Sequence, residues 1–373
     1  MVTLKEVAQE AGVSAQTASR AVSGKGYVAA ETRARVNAAV RRLGYAPNRV
    51  ASSMATGRTL SIGMVVPDIS YSFFPEIVLG AETEARRAGY NLILCNTAES
   101  DEQERRVIEF LHEARVDGII MGGARLPDSE LLMALTVHRH FVSINHPVPP
   151  ELGGSIRSDH VRGIAQAVDH LLQSGRRTLA YMSGPEHIYA AQERLRGFMQ
   201  AIRNAGLPLD PTLIVPYAAN LAAGHRSLRE WLGAGEVGTD GWHEERATLG
   251  QRGALRLLRE HPSVDGVICY DDLIAVGALQ ACAQLGLRVP DDVAISGCND
   301  LPIASQVTPR LTTQRIPRYQ MGAKAARMLI ERIGGCAACG EVVLQHQLIV
   351  RESAPAPARM EREPLHDVML AVA

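Results

Sequence analysis

Gln16 and Arg20 stand four residues apart in the stretch AQTASRAV, with Ala15 and Ser19 beside them. A glutamine can pair bidentately with adenine and an arginine with guanine, so one helical face carrying both suits reading base edges in a major groove. Ser14 and Thr17, at the start of the same stretch, suit phosphate oxygens, as do the backbone amides of a helix N-terminus. Ala15 offers only apolar contact, for example to a thymine methyl. Catalytic chemistry is not laid out in the same way. The chain has no Gly-rich phosphate loop, no G-x-S-x-G elbow and no metal-ligand cluster. His138, His140, His146 and His160 fit no metal spacing and read as solvated or loop histidines. Cys336-Ala-Ala-Cys339 lacks a second ligand pair and reads as a loop with incidental thiols. Cys95, Cys269 and Cys298 lie in or beside strand-like runs and Cys282 in a helical one, as reduced buried thiols do. No catalytic residue, metal or cofactor is therefore expected.

The elements that must present Gln16 and Arg20 are short helices. Leu4, Val7, Ala8 and Ala11 follow the i, i+3, i+4, i+7 spacing of one helix face. Thr3 with Glu6 makes a capping box, and Gly12 breaks that helix. Ser14 is placed to cap a second helix, whose Ala18 and Val22 should face inward. A third face, Val36, Ala39, Val40 and Leu43, ends at Gly44. Three helices with a glycine in the first turn describe a helix-turn-helix module over residues 1–47. The charge agrees: residues 1–58 carry nine Lys/Arg against three Asp/Glu, while the whole chain is −1. A basic end on an acidic body is an electrostatic footprint for nucleic acid at that end alone. No stretch approaches the roughly 20 apolar residues of a membrane span. MVTLKEVAQE contains no apolar signal core, which points to the cytoplasm.

Beyond residue 58 short apolar runs alternate with amphipathic stretches. Strands are predicted over Leu60–Val66, Asn91–Cys95, Gly118–Met121, Phe141–Ile144, Thr178–Met182, Gly266–Cys269 and Ala294–Gly297. Helices are predicted over Glu76–Ala88, Glu102–Ala114, Gly163–Gln173, Glu193–Ala205, Gly250–Glu260 and Leu273–Leu285. This β-α-β rhythm means mostly parallel sheets flanked by helices, and its length calls for two lobes. Ligands in such folds sit at the carboxyl ends of strands, here in the cleft between lobes. Residues 224–249 interrupt the rhythm with Gly-rich material containing Trp242. The tail 353–373 is too short in apolar residues for a heptad zipper.

VTLKEVAQEAGVSAQTASRAV and TRARVNAAVRRLGYAPNRVA resemble the headpiece of the lactose-repressor/galactose-repressor family of bacterial transcription regulators. IGMVVP from Ile62, Phe73-Phe74, DGII from Asp117, RLRGF from Arg194, YDD from Tyr270, AVG from Ala275, VPDDVAISG from Val289 and LTT from Leu311 are further matches in the same order. The resemblance thus covers nearly the whole chain. It implies a helix-turn-helix headpiece (1–47), a hinge (48–58) and a two-lobe, periplasmic-binding-protein-like effector and dimerisation domain of parallel sheets (59–352). It implies DNA contacts by Thr3, Ser14, Ala15, Gln16, Thr17, Ser19 and Arg20, and by Asn48, Arg49 and Met54 of the hinge. Met54 would wedge into the minor groove of a pseudo-palindromic operator bound by a homodimer. Effector contacts fall on Phe73, Phe74, Asn145, Ser158 or Asp159, Arg194, Asp271 and Asn299. Asn145 and Asn299 stand where many sugar-binding members carry Asp, and Asp271 where Asn is frequent, which suits a sugar or a sugar acid. Ile316 replaces a polar family position, and Ala29 stands where a capping Ser is common.

The expected function is an effector-controlled transcriptional regulator, a repressor by type. Two rivals share the α/β body: a sugar-binding receptor without DNA function, and an enzyme. The basic headpiece speaks against the first and the absence of catalytic motifs against the second. The effector, and whether it releases or promotes DNA binding, stay open at this point.

Overall fold

The computed structural model describes residues 2–24, 26–46, 57–216, 242–336 and 340–356, with only the backbone at 242–245. Asn48, Arg49, Met54, Cys339, the side chain of Trp242 and the tail from residue 357 lie outside them, as does most of the 224–249 segment. The chain divides into two compact units, Met1–Leu60 and Ser61–Ala373.

The first unit holds α1 (Leu4–Glu10), α2 (Ala15–Ser23) and α3 (Ala30–Leu43). The capping box forms: the Thr3 N–H donates to Glu6 Oε2 at 2.7 Å and Thr3 Oγ1 accepts from the Glu6 N–H. Ser14 caps α2 by accepting from the Thr17 N–H at 3.1 Å. Gly24 and Gly44 close α2 and α3 in the left-handed conformation that glycine adopts without a Cβ clash. Ala29 leads α3 with no side-chain cap. Val7, Ala8, Ala11, Ala18, Ala21, Val36 and Ala39 form the core. Val22 packs against this core as expected, half-buried, and Ala21 is buried beside it.

The second unit is built on two six-stranded sheets among the described residues. The first lobe contains β1 (Ser61–Val66), β2 (Asn91–Asn96), β3 (Gly118–Gly122), β4 (Phe141–Ile144) and β5 (Gly154–Ser158). The second contains β6 (Leu179–Met182), β7 (Ile214–Val215), β8 (Gly266–Cys269), β9 (Ala294–Asn299) and β10 (Thr312–Arg315). The chain then returns to the first lobe for β11 (Glu341–Leu344) and again to the second for β12 (Gln347–Ile349). The strand orders are β11-β5-β4-β3-β1-β2 and β12-β10-β9-β8-β6-β7. All pairings are parallel except β10 with β12. The chain crosses between lobes at residues 159–160, 316–317 and 345–346, so neither lobe is continuous in sequence.

Helices cover the sheets: α4 (Phe74–Arg87), α5 (Asp101–Glu113), α6 (Asp128–Leu135) and α7 (His160–Gln173), then α8 (Tyr189–Asn204), α9 (Trp242–Glu260), α10 (Asp272–Leu285) and α11 (Arg318–Ile333). Two of their crossings are set by glycine. A Cβ on Gly322 of α11 would stand 1.8 Å from the Ile77 carbonyl of α4, and one on Gly80 would stand 2.1 Å from the Tyr319 carbonyl. Gly277 of α10 and Gly250 of α9 meet the same way, at 2.1 Å from the Ala247 carbonyl and 2.4 Å from that of Ile274. Ile316 is buried in the first lobe's core, so this crossing is apolar.

Candidate functional site

An open cavity lies between the lobes, about 750 Å³ with the solvent space at its mouth included. Its walls are the segments that leave the carboxyl ends of the strands. β1 leads to Tyr71, Phe73 and Phe74, β3 to Gly123–Leu126, and β4 to Asn145 and His146. From the other lobe β6 leads to His187–Ala190 and Arg194, β8 to Tyr270, and β9 ends in Asn299. In each sheet the chain reverses direction at the strand from which this wall begins: β1 lies between β2 and β3, and β6 between β7 and β8. Side chains from successive loops converge at such a switch point because the loops diverge from it.

The apolar wall is a cluster of three rings. Phe73 meets Phe74 edge-on at 5.3 Å between centroids, and Tyr71 stacks on Phe73 at 6.1 Å. Opposite lies Arg194, 2 % exposed. Its Nη1 donates to the Tyr270 carbonyl at 2.5 Å, its Nη2 to Asn299 Oδ1 at 3.1 Å and its Nε to His160 Nδ1 at 3.4 Å. The guanidinium also lies 4.6 Å from the centre of the Tyr270 ring. Asn299 in turn donates to the Tyr71 hydroxyl, which donates to Asp271. Asn145 Oδ1 accepts from the Ser158 N–H at 3.1 Å and from its hydroxyl, which turns the Asn145 amide nitrogen away from Ser158. Both asparagines have positive φ, 55° at Asn145 and 111° at Asn299. Backbone strain of this kind is held in place by its surroundings and collects at functional sites.

A second polar layer is ionic. Arg125 grips Glu99 through two nitrogens and donates to the carbonyls of Gly123 and Ala124. Arg246, from α9, pairs with Asp271 at 2.9 Å, approaches Glu99 at 3.8 Å and stacks over Tyr71 at 4.3 Å. Burial works to raise the Glu99 carboxyl, yet the Arg125 charge and hydrogen bond, helped by Arg246, hold it below its ordinary value. Arg246 thus joins the second lobe to Glu99 and Tyr71 of the first.

Of the residues assigned to the cavity by resemblance, Phe73, Phe74, Asn145, Arg194 and Asn299 line it. Ser158, Asp159 and Asp271 do not. Ser158 orients Asn145. Asp159 caps α7 by accepting from the Arg162 N–H, and Asp271 caps α10 through the Ile274 N–H while holding Tyr71 and Arg246. Sequence reasoning missed Tyr71, Arg125, Glu99, Tyr270 and Arg246. Two of them carried a signal: Tyr270 opens the YDD match, and Arg246 lies in the segment that broke the β-α rhythm. His138 and His146 lie on loop bends as expected, but they are buried rather than solvated, and His160 is buried at the start of α7. His138 bonds to the Ile108 carbonyl, His146 faces Tyr189, and His160 packs on His346 at 5.3 Å. Among the described residues no group of three His, Cys, Asp or Glu side chains could hold a metal ion, and no helix is long and apolar enough to cross a membrane. Cys269, Cys282 and Cys298 are free and buried as expected, Cys95 is half-buried, and Cys336 is exposed.

In the first unit Ala15, Gln16, Ser19 and Arg20 are all exposed, on the face of α2 opposite Ala18 and Ala21. Thr17 is half-buried beside the Ser14 cap, and Thr3 is engaged in the α1 cap.

A helix-turn-helix unit joined to a two-lobed α/β body with a cavity at its switch points defines the class of ligand-regulated DNA-binding proteins. Comparison with known proteins is specific. Residues 3–48 match the bacterial regulatory proteins of the lacI family. Residues 59–232 match the periplasmic binding proteins and sugar binding domain of LacI family, and 168–354 a periplasmic binding protein-like domain. The chain is 32 % identical to the ribose operon repressor of Halalkalibacterium halodurans, over 89 % of this chain and 91 % of that one. It is similar to a solved lac repressor dimer bound to operator and the anti-inducer ONPF (TM-score 0.78, 25 % identity, 95 % and 99 % of the two chains covered). It is also similar to a transcriptional regulator CelR–cellobiose complex (TM-score 0.65, 29 % identity, 95 % and 100 % covered). The chain belongs to the LacI family and is a sequence-specific DNA-binding transcriptional regulator.

Proposed function

We propose that the chain is a repressor whose hold on a pseudo-palindromic operator is set by a sugar or sugar acid bound between the two lobes. The observation that carries this reading is the cavity: both lobes line it, so a ligand there makes different contacts when the lobes close or part. A ligand changes operator affinity only through such a difference. The names of the relatives support the reading, one being a ribose operon repressor and two solved relatives holding cellobiose or an anti-inducer. By the same likeness the protein works as a homodimer in the cytoplasm, without catalytic activity. In this reading residues 1–47 bind DNA through Thr3, Ser14, Ala15, Gln16, Thr17, Ser19 and Arg20. Residues 48–58 form the hinge, 59–352 the effector body, and Ser158, Asp159 and Asp271 support the effector site from behind.

The test is a gel shift of the full-length protein on the DNA upstream of its own gene. Specific retardation is expected, weakening steeply with salt as phosphate contacts are lost. Addition of the right effector should change it. Equal retardation of scrambled DNA would refute the operator reading, and a ligand response untouched by Phe73→Ala would refute the cavity as effector site.

A further inference from the structure

The hydrogen-bonding groups inside the cavity are not balanced, and this bears on what it holds, given that it is the effector site. Arg194 is fully buried, and among the described residues no carboxylate lies within ion-pair distance of it; its partners are a carbonyl, an amide oxygen and a histidine nitrogen. A guanidinium offers five N–H donors, so about two of them are unused by these partners. The other two cavity arginines are compensated, Arg125 by Glu99 and Arg246 by Asp271. Asp272, next to Asp271 in the chain but not in the cavity wall, adds little negative charge, because burial above all pushes its carboxyl up to about 8. Asn145 has spent its oxygen on Ser158, which leaves its amide nitrogen as donor; Asn299 has spent its oxygen on Arg194. The lining carboxylate is that of Asp128, 82 % exposed at the rim, with His146 at 3.6 Å. Water screens a charge so exposed far more than that of Arg194, which is 2 % exposed. The interior therefore holds one cation without a counter-charge, a surplus of donors, and a wall of three rings.

A buried cation without a partner is costly, and a bound acceptor of opposite charge relieves that cost. We propose that the ligand of this cavity is a small organic monoanion, a carboxylate of sugar size, with its carboxylate on Arg194 and Asn145 and its apolar face on Tyr71, Phe73 and Phe74. A single surplus charge favours a carboxylate over a phosphate dianion.

The test is calorimetric titration of the full-length protein with matched pairs: D-glucose and D-glucuronate, D-galactose and D-galacturonate, D-ribose and D-ribonate. At least one acid should bind at least about tenfold more tightly than its neutral partner. Arg194→Gln should cost that acid at least about tenfold more than it costs the neutral partner. Asn145→Asp keeps an oxygen for the Ser158 N–H but brings a charge to the cavity, so it should erase or reverse the preference for the acid. Thermal melts of each variant separate loss of binding from loss of folding. A neutral sugar that binds as well as its acid, and is lost in Phe73→Ala, overturns the anion while keeping the cavity as effector site. An acid whose binding ignores both Phe73→Ala and Arg194→Gln overturns the cavity itself. Failure of every acid to bind overturns the monoanion.

Discussion

Arg20 and His346 show how differently single residues are used in the two units. Arg20 is exposed on the face of α2 proposed to read DNA, and its guanidinium suits the paired acceptors of a guanine edge. Arg20→Ala should weaken operator binding by roughly 1–3 kcal/mol and relax the preference at one base pair of each half-site. Gel shifts on operators carrying single substitutions read this directly; uniform weakening on all of them would mean a phosphate contact instead. His346 is the opposite case. It is buried at a crossing between the lobes, against His160 and beside Gly163, and its ring nitrogens find no partner among the described residues. Burial foremost, with the nearby Arg194 charge, lowers its pKa from 6.5 to about 3. The folded protein thus keeps His346 neutral where the unfolded chain would protonate it. Its contribution to stability is complete above about pH 6.5 and is lost as pH falls towards 3, at up to ~1.4 kcal/mol per pH unit. His160 is shifted the same way, by burial and then by Arg194 and His346. His346→Leu should flatten the acid limb of a stability-against-pH curve measured by urea unfolding. A limb of unchanged slope would show that His346 is not kept neutral.

At the scale of elements, what was legible followed from burial pattern. Phe141–Ile144 and Gly266–Cys269 are strands buried along their whole length, and short runs that are apolar but for Ser143 announce them. Thr312–Arg315 was not legible, because its buried residues are Thr312, Thr313 and Gln314: the threonines are bonded to Asp272, Ser353 and the Arg351 carbonyl, while the Gln314 amide finds no partner among the described residues. Glu341–Leu344 and Gln347–Ile349 are short edge strands without a buried run. In the cavity, Phe73, Phe74 and Arg194 came from family motifs. Tyr71 with Asp271 and Asn299 could not be foreseen, since those bonds join residues 200 and 228 positions apart. Helix α11 also escaped notice, and its glycine shows why it matters. It packs on α4 with backbone in contact at Gly322, leaving no room for a methyl group. Gly322→Ala should lower the stability of the body by roughly 1–3 kcal/mol through overpacking, despite the ~1 kcal/mol that alanine gains in helix propensity. A melting temperature equal to that of the parent protein would mean that the two helices can part freely.

On the scale of the whole molecule, Arg246 bridges the two lobes of the body. This residue of the second lobe rests on Tyr71 and approaches Glu99 of the first while paired to Asp271 at its own base. Arg246→Ala should therefore shift the ligand-free body towards an open form. The radius of gyration from small-angle scattering should rise, and ligand association should quicken. Identical scattering from parent and variant would show that the cleft closes without it. The three crossings between lobes have a different consequence, for the order in which the chain can fold as it is made. The helix-turn-helix unit has all its helices once Leu43 has emerged, whereas the first lobe lacks its edge strand until Glu341–Leu344 is available to pair with Gly154–Ser158. At about 5–20 residues per second of synthesis, that interval is of the order of 15–60 s. A finished DNA-reading head therefore precedes its finished regulator on every ribosome, and the nascent body waits with an open sheet edge for the last part of its chain.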